Sequence, residues 1–199
     1  LLNTYLGVAK AKGKVTATAY TGLTSVESKV SDGYIKIDDK EYRVEMPNSV
    51  SYIGYTVDFY YYEKNGEFIV LLMLQSSQME IDTIDAEKTS EFTDQNILTV
   101  ELDREDKTKK YNISKTADVI YNNQAYRGYK NATLFPSFGT VTLVDNDKDR
   151  IIDLVIINAV ETHVVNRVNA GMEKIYLKDE PSPIIFDLKS DKVYLTLAE

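Results

Sequence analysis

The run Asp145-Asn146-Asp147-Lys148-Asp149-Arg150-Ile151-Ile152-Asp153 holds the residues best suited to chemistry in this sequence. Its first, third, fifth and ninth positions are the carboxylates Asp145, Asp147, Asp149 and Asp153, and its seventh, Ile151, offers a main-chain carbonyl. Hard oxygen donors at this spacing are the ligands calcium prefers. Two departures weigh against an ion. Arg150 stands at the sixth position, where such loops place glycine, and the twelfth is Ile156 rather than an acid. The competing reading is a metal-free acidic hairpin turn. Calcium is the single cofactor the sequence offers.

Catalysis finds little to work with. His163 is the only histidine, and strand alternation in Glu161-Thr162-His163-Val164-Val165 sets it opposite Val164 and outward. A nucleophilic triad needs a base oriented by a carboxylate and facing a nucleophile; no serine in a strained turn and no Gly-rich phosphate loop is evident. The absence of cysteine excludes disulfides, zinc–thiolate sites, iron–sulfur clusters and a thiol nucleophile. A non-enzymatic chain is the expectation.

The fifteen tyrosines offer binding chemistry instead. In a strand, Asp58, Tyr60 and Tyr62 share one face while Val57, Phe59 and Tyr61 share the other. An exposed aromatic row can anchor a protein partner or stack on a sugar, because tyrosine has an apolar face and a polar tip. Tyr60 and Tyr62, with Tyr126 and Tyr129 further on, are the candidate partner-binding residues. Sugar platforms usually include tryptophan, which is absent here. The alternative is that these rings close a core and the seam between modules.

Charge and hydropathy narrow the partners. A net charge of −8 repels phosphate, which disfavours nucleic acid and anionic membranes. Lys107, Lys109 and Lys110 sit beside Asp103, Glu105 and Asp106 and read as a solvated turn. The longest apolar run, Phe68 to Leu74, is seven residues, too short for a helical span, so membrane insertion is not expected. The chain opens on Leu1-Leu2-Asn3 without methionine or a charged-then-apolar leader, and so reads as a processed or excised segment.

The elements that must position these residues are strands. Val, Ile, Thr and Tyr dominate the apolar stretches, which alternate with a period of two. After a short helical turn expected around Leu2 to Val8, strands are expected at 14–20, 34–38, 41–46, 55–63 and 67–75. Lys64-Asn65-Gly66 supplies the positive-φ residues of a tight hairpin. The strand from Phe68 to Leu74 is apolar on both faces and is expected to be covered on both.

A second half repeats the scheme. Lys110-Tyr111-Asn112-Ile113 answers Glu41-Tyr42-Arg43-Val44, Gly139-Thr140-Val141 answers Gly54-Tyr55-Thr56, and the apolar strand from Ile151 answers the one from Phe68. The interval from tyrosine to glycine grows from 12 residues (42 to 54) to 28 (111 to 139), which marks an insertion near 115–137. The fold expected is therefore all-β: two tandem small β-barrel or sandwich modules of OB or SH3 type, 1–85 and 86–199. Strands within 172–199 either finish the second module or start a third. By this repeat, the acidic turn answers the metal-free Glu63-Lys64-Asn65-Gly66 turn.

Two stretches carry a resemblance. Ala117-Asp118-Val119-Ile120-Tyr121-Asn122-Asn123-Gln124-Ala125-Tyr126, followed by Gly139 to Ile157, resembles a pattern in repetitive β-domain proteins of Gram-positive bacterial surfaces, some associated with S-layer homology domains, and in phage virion structural proteins. Gly13-Lys14-Val15-Thr16-Ala17 with Tyr20-Thr21-Gly22 fits the start of such a module. The resemblance implies a non-catalytic structural role in a phage tail or baseplate, or on a bacterial surface, with other protein subunits as partners. A carbohydrate- or cell-wall-binding module, or an accessory domain of a cell-wall enzyme, is the alternative, with a glycan as ligand. Family members often carry glycine in the Asp-rich turn, where this chain has Arg150.

Overall fold

The computed structural model describes residues 7–19, 21–23, 29–45, 52–102, 107–126, 134–169, 174–178 and 185–187. Five strands, β1 (Ala9–Ala17), β2 (Tyr34–Ile37), β3 (Lys40–Val44), β4 (Thr56–Lys64) and β5 (Glu67–Gln75), close into a barrel in the order β1-β2-β3-β5-β4. All pairs are antiparallel except β3 with β5. That is the Greek-key order of an OB-type barrel. The β4–β5 hairpin turns on Asn65 (φ 53°) and Gly66 (φ 83°), the left-handed pair its sequence predicts.

The expected helical turn near the start lies partly outside the described residues, and Ala9 already belongs to β1. β1 turns its buried positions Gly13, Val15 and Ala17 inward, small enough to let the barrel close tightly. Val15, Ile35, Val57, Phe59 and Met73 fill the interior at 1 % exposure or less. One end is sealed by Tyr42, Phe59, Tyr61 and Phe68, packed edge-on or tilted at 5.0–6.0 Å, with the Lys40 ammonium over the Phe68 ring.

The second sheet contains β6 (Glu80–Asp85), β7 (Thr89–Phe92), β8 (Ile97–Glu101), β9 (Thr108–Tyr121), β10 (Gln124–Ala125), β11 (Gly139–Asp145) and β12 (Ile151–Ala159). Its order is β6-β11-β12-β9-β8-β7, with β10 also on β9 and β9 parallel to β12. A 3-10 turn, Ala86–Lys88, is all that separates β6 from β7. If β6 and β7 together stand for β1, and β8, β9, β11 and β12 for β2 to β5, the strand orders coincide, including the parallel pair. The markers coincide too: Tyr42 and Tyr111 are both buried, and Gly54 and Gly139 both hold positive φ. The chain thus contains two β-modules of one scheme, the second opened where its first strand breaks.

The insertion expected near 115–137 begins as strand, since β9 runs on to Tyr121 through a register shift beyond Ile113. Residues 127–133 lie outside the described residues. The two modules share apolar contacts: Ile120, Val144 and Leu154 pack with the first barrel's core, while Val119, Val141, Leu143, Val155 and Ile157 fill the second's own.

Residues from Glu161 onward form a separate unit. In it β13 (Val165–Asn169), β14 (Lys174–Leu177) and β15 (Ile185–Asp187) make an antiparallel meander. The strand expected over 192–197 lies outside the described residues.

Candidate functional site

The acidic run forms the β11–β12 turn. Asp145, only 2 % exposed at the end of β11, folds the chain around its carboxylate. Its Oδ1 accepts hydrogen bonds from the backbone N–H of Asp147 (3.2 Å) and Lys148 (2.7 Å), and its Oδ2 accepts from Arg150 (2.7 Å). Asp147 Oδ1 accepts from the N–H of Asp149, and Asp149 Oδ1 from that of Ile151. Short acidic side chains bond readily to main-chain groups two residues ahead, and here they do so in succession.

One carboxylate oxygen each from Asp145, Asp147 and Asp149 lies within 4.8 Å of the others. Three of the predicted calcium ligands are therefore brought together. Asp153 instead accepts the Asn146 N–H through Oδ2 at 2.9 Å, and Ile151 opens β12 with a half-exposed side chain. Arg150 adopts φ 71°, the conformation for which such loops use glycine. Three carboxylates this close can take a hard cation, yet the turn is also closed by its own N–H groups. Partial burial pushes the Asp153 carboxyl up from its ordinary range, and the charges of Asp147, Asp149 and Asp145 add to this, while the Asn146 N–H opposes it.

Asn146, which sequence reasoning passed over, reaches out of this turn into the first module. Its Oδ1 accepts the Thr56 N–H at 2.8 Å and its Nδ2 donates to the Gly54 carbonyl at 3.1 Å. Around it, Lys14 pairs with Asp118 at 2.6 Å, and Thr21 Oγ1 accepts the Ala125 N–H at 3.1 Å. A Cβ on Gly54 would lie 2.7 Å from a Leu154 methyl, so only glycine lets the strands pack this closely. The acidic turn is thereby part of the joint between modules. Its sequence signal was the lone amide in an acidic run, but the partners are some ninety residues away in the chain.

The candidate tyrosines separate. Tyr60 and Tyr62 lie half-buried on the outer face of β4, opposite Leu72 and Ile69 of β5. Tyr126 is 47 % exposed in the second module and packs on Tyr121 at 5.9 Å. Tyr129 lies outside the described residues. Beside Tyr60, the expectation that β5 is covered on both faces fails: Leu71, Leu72 and Leu74 are 52 %, 43 % and 51 % exposed. Tyr60 pairs with Leu72 and Tyr61 with Val70, which leaves Leu71 as the extra residue of a bulge. A bulge reverses the alternation, so Leu71 and Leu72 both face solvent. Along the neighbouring strand, Lys10 and Lys12 stand opposite Tyr60 and Asp58.

At the other module, an open cleft of about 390 Å³ is lined by Phe92, Phe135, Pro136 and Phe138, with Glu87 and Glu91 at its side. Phe92 and Phe135 meet edge-on at 5.4 Å, and Phe138 is 62 % exposed. In the separate C-terminal unit, His163 lies 3.1 Å from Glu161. No family model, curated protein or solved structure matches this chain.

Proposed function

We propose that this chain is a non-catalytic structural module that joins protein subunits of a larger assembly. The observation that carries the reading is the row of Leu71, Leu72 and Leu74 beside Tyr60 on the outer face of the first barrel. A contiguous apolar face of this kind on an otherwise acidic surface marks a protein contact. Its setting, a phage tail or baseplate or a bacterial surface layer, rests on the sequence resemblance.

The test replaces Leu72 and Leu74 together by aspartate in the parent protein and follows the chain into assembled particles or the cell-envelope fraction. The variant should keep the wild-type circular dichroism spectrum, since both side chains already face solvent, but be lost from the assembled fraction. Retention at wild-type levels, or a wild-type chain found only free of any assembly, would overturn the reading.

A further inference from the structure

Within the chain, the second module docks on the first through one particular face. The outward residues of β9, β11 and β12 (Ile120, Val144, Leu154) join the first barrel's buried cluster, which includes Ile53 and Tyr55 of the segment that precedes β4, and there Gly54 admits Leu154. Each half of this contact has an unused counterpart. On β5, Leu72 and Leu74 occupy the outer face that Leu154 and Ile156 occupy on β12, and they are exposed. The segment preceding β11, the counterpart of the one preceding β4, carries Phe135, Pro136 and Phe138, and these line the open cleft. Among the described residues, the first module thus offers an exposed head and the second an open tail.

Charge matches along the same pairing. Lys10 and Lys12 lie across β4 from the leucine row, with Tyr60 and Asp58 between, and neither forms an ion pair with a carboxylate among the described residues; Lys10 lies over the Tyr60 ring. Glu87 and Glu91 flank the cleft and likewise form none. A net charge of −8 does not forbid self-contact, because at physiological salt screening over about 8 Å leaves only local charges to act.

We propose that a second copy of this chain seats the Leu72–Leu74 face of its first module in the Phe92–Phe138 cleft of the second module, continuing between chains the joint that links the modules within one. The contact is heterologous, so it propagates head to tail rather than closing as a symmetric dimer. This rests on the assembly reading above and names the partner.

Sedimentation velocity on the 199-residue chain from about 1 µM to about 1 mM tests it. Wild type should show a sedimentation coefficient that climbs with concentration past that of a dimer. The double reversals Lys10→Glu with Lys12→Glu, and Glu87→Lys with Glu91→Lys, change exposed side chains only, and each should weaken association at least about tenfold. Mixing the two variants pairs every reversed face with its complement and should restore association. A wild type that stays monomeric throughout, reversals without effect, or a mixture that stays apart would each overturn the proposal. If the chain is monomeric and yet Leu72→Asp with Leu74→Asp still abolishes incorporation, the assembly reading stands with a different partner.

Discussion

Asn146 holds more of the molecule than its place in an exposed turn implies. Its amide pairs one donor and one acceptor of the other module's backbone, at Thr56 and Gly54. Removing a partner from a buried polar group costs about 1–3 kcal/mol, so Asn146→Ala should lower the stability of the joined modules by about 2–3 kcal/mol in urea unfolding. Asn146→Asp keeps the acceptor for Thr56, loses the donor to Gly54 and sets another carboxylate among Asp145, Asp147 and Asp153. It should be at least as costly near neutral pH. Wild-type stability in both variants would show that the turn does not hold the joint. Arg150 supplies a second case, because its φ of 71° is one that side chains adopt at a cost of about 1 kcal/mol or more. A β-branched residue suffers most there, so Arg150→Val should lose about 1–2 kcal/mol while Arg150→Gly holds or gains slightly. The same stability for both would mean the turn has another shape.

At the scale of elements, hairpins were legible because their turn residues state the geometry: Asn65-Gly66 reads directly as the β4–β5 turn. The tandem scheme was legible too, from Tyr42 with Tyr111 and Gly54 with Gly139. What escaped was set by pairing rather than composition. The bulge at Leu71 depends on the register of β4, and the division of one strand into β6 and β7 depends on a turn at Ala86–Lys88 that no glycine or proline announces. For the candidate site, the three clustered aspartates could be read off their spacing, whereas Asn146's partners required the fold. β5 and β12 share one two-sided apolar pattern with opposite outcomes, since β12 is covered by a neighbouring module and β5 is not. Gly54 makes that cover possible, which a double-mutant cycle can check. Gly54→Ala adds a methyl into Leu154 at φ 82° and should cost more than about 2 kcal/mol. In a Leu154→Ala background the added cost should shrink, leaving the backbone part; strict additivity would place the strain elsewhere.

At the scale of the whole molecule, the opened second module is tied across its gap by charge, and this makes its stability depend on pH. Asp82 on β6 accepts hydrogen bonds from Lys109 (2.7 Å) and from the Tyr111 hydroxyl, both on β9, although two strands lie between β6 and β9 in the sheet. Partial burial pushes Asp82 up, but the bonds from Lys109 and Tyr111 and the Lys109 charge outweigh it and hold the carboxyl below its ordinary 3.8. The bond to Asp82 first, then Tyr111, raises Lys109 to about 12. A depressed carboxyl stabilises the fold in full above the unfolded value and loses that contribution as pH falls through the folded one. Asp153 has the opposite sign. Its raised value favours the fold only below the ordinary range and becomes a penalty as pH rises through the folded value. Both groups are only partly buried, so solvent screening holds each effect to about 0.5 kcal/mol, or about 1–2 °C in Tm. Asp82→Asn should therefore melt below wild type at pH 7 and converge with it near pH 2–3. Asp153→Asn keeps an acceptor for Asn146 and should melt above wild type at pH 7, with the gap closing below about pH 4. Thermal melts of the two variants across this range should give differences of opposite sign. A common sign at neutral pH would mean that the acidic turn is not strained by its own charge, as it would be if a bound cation already neutralised it.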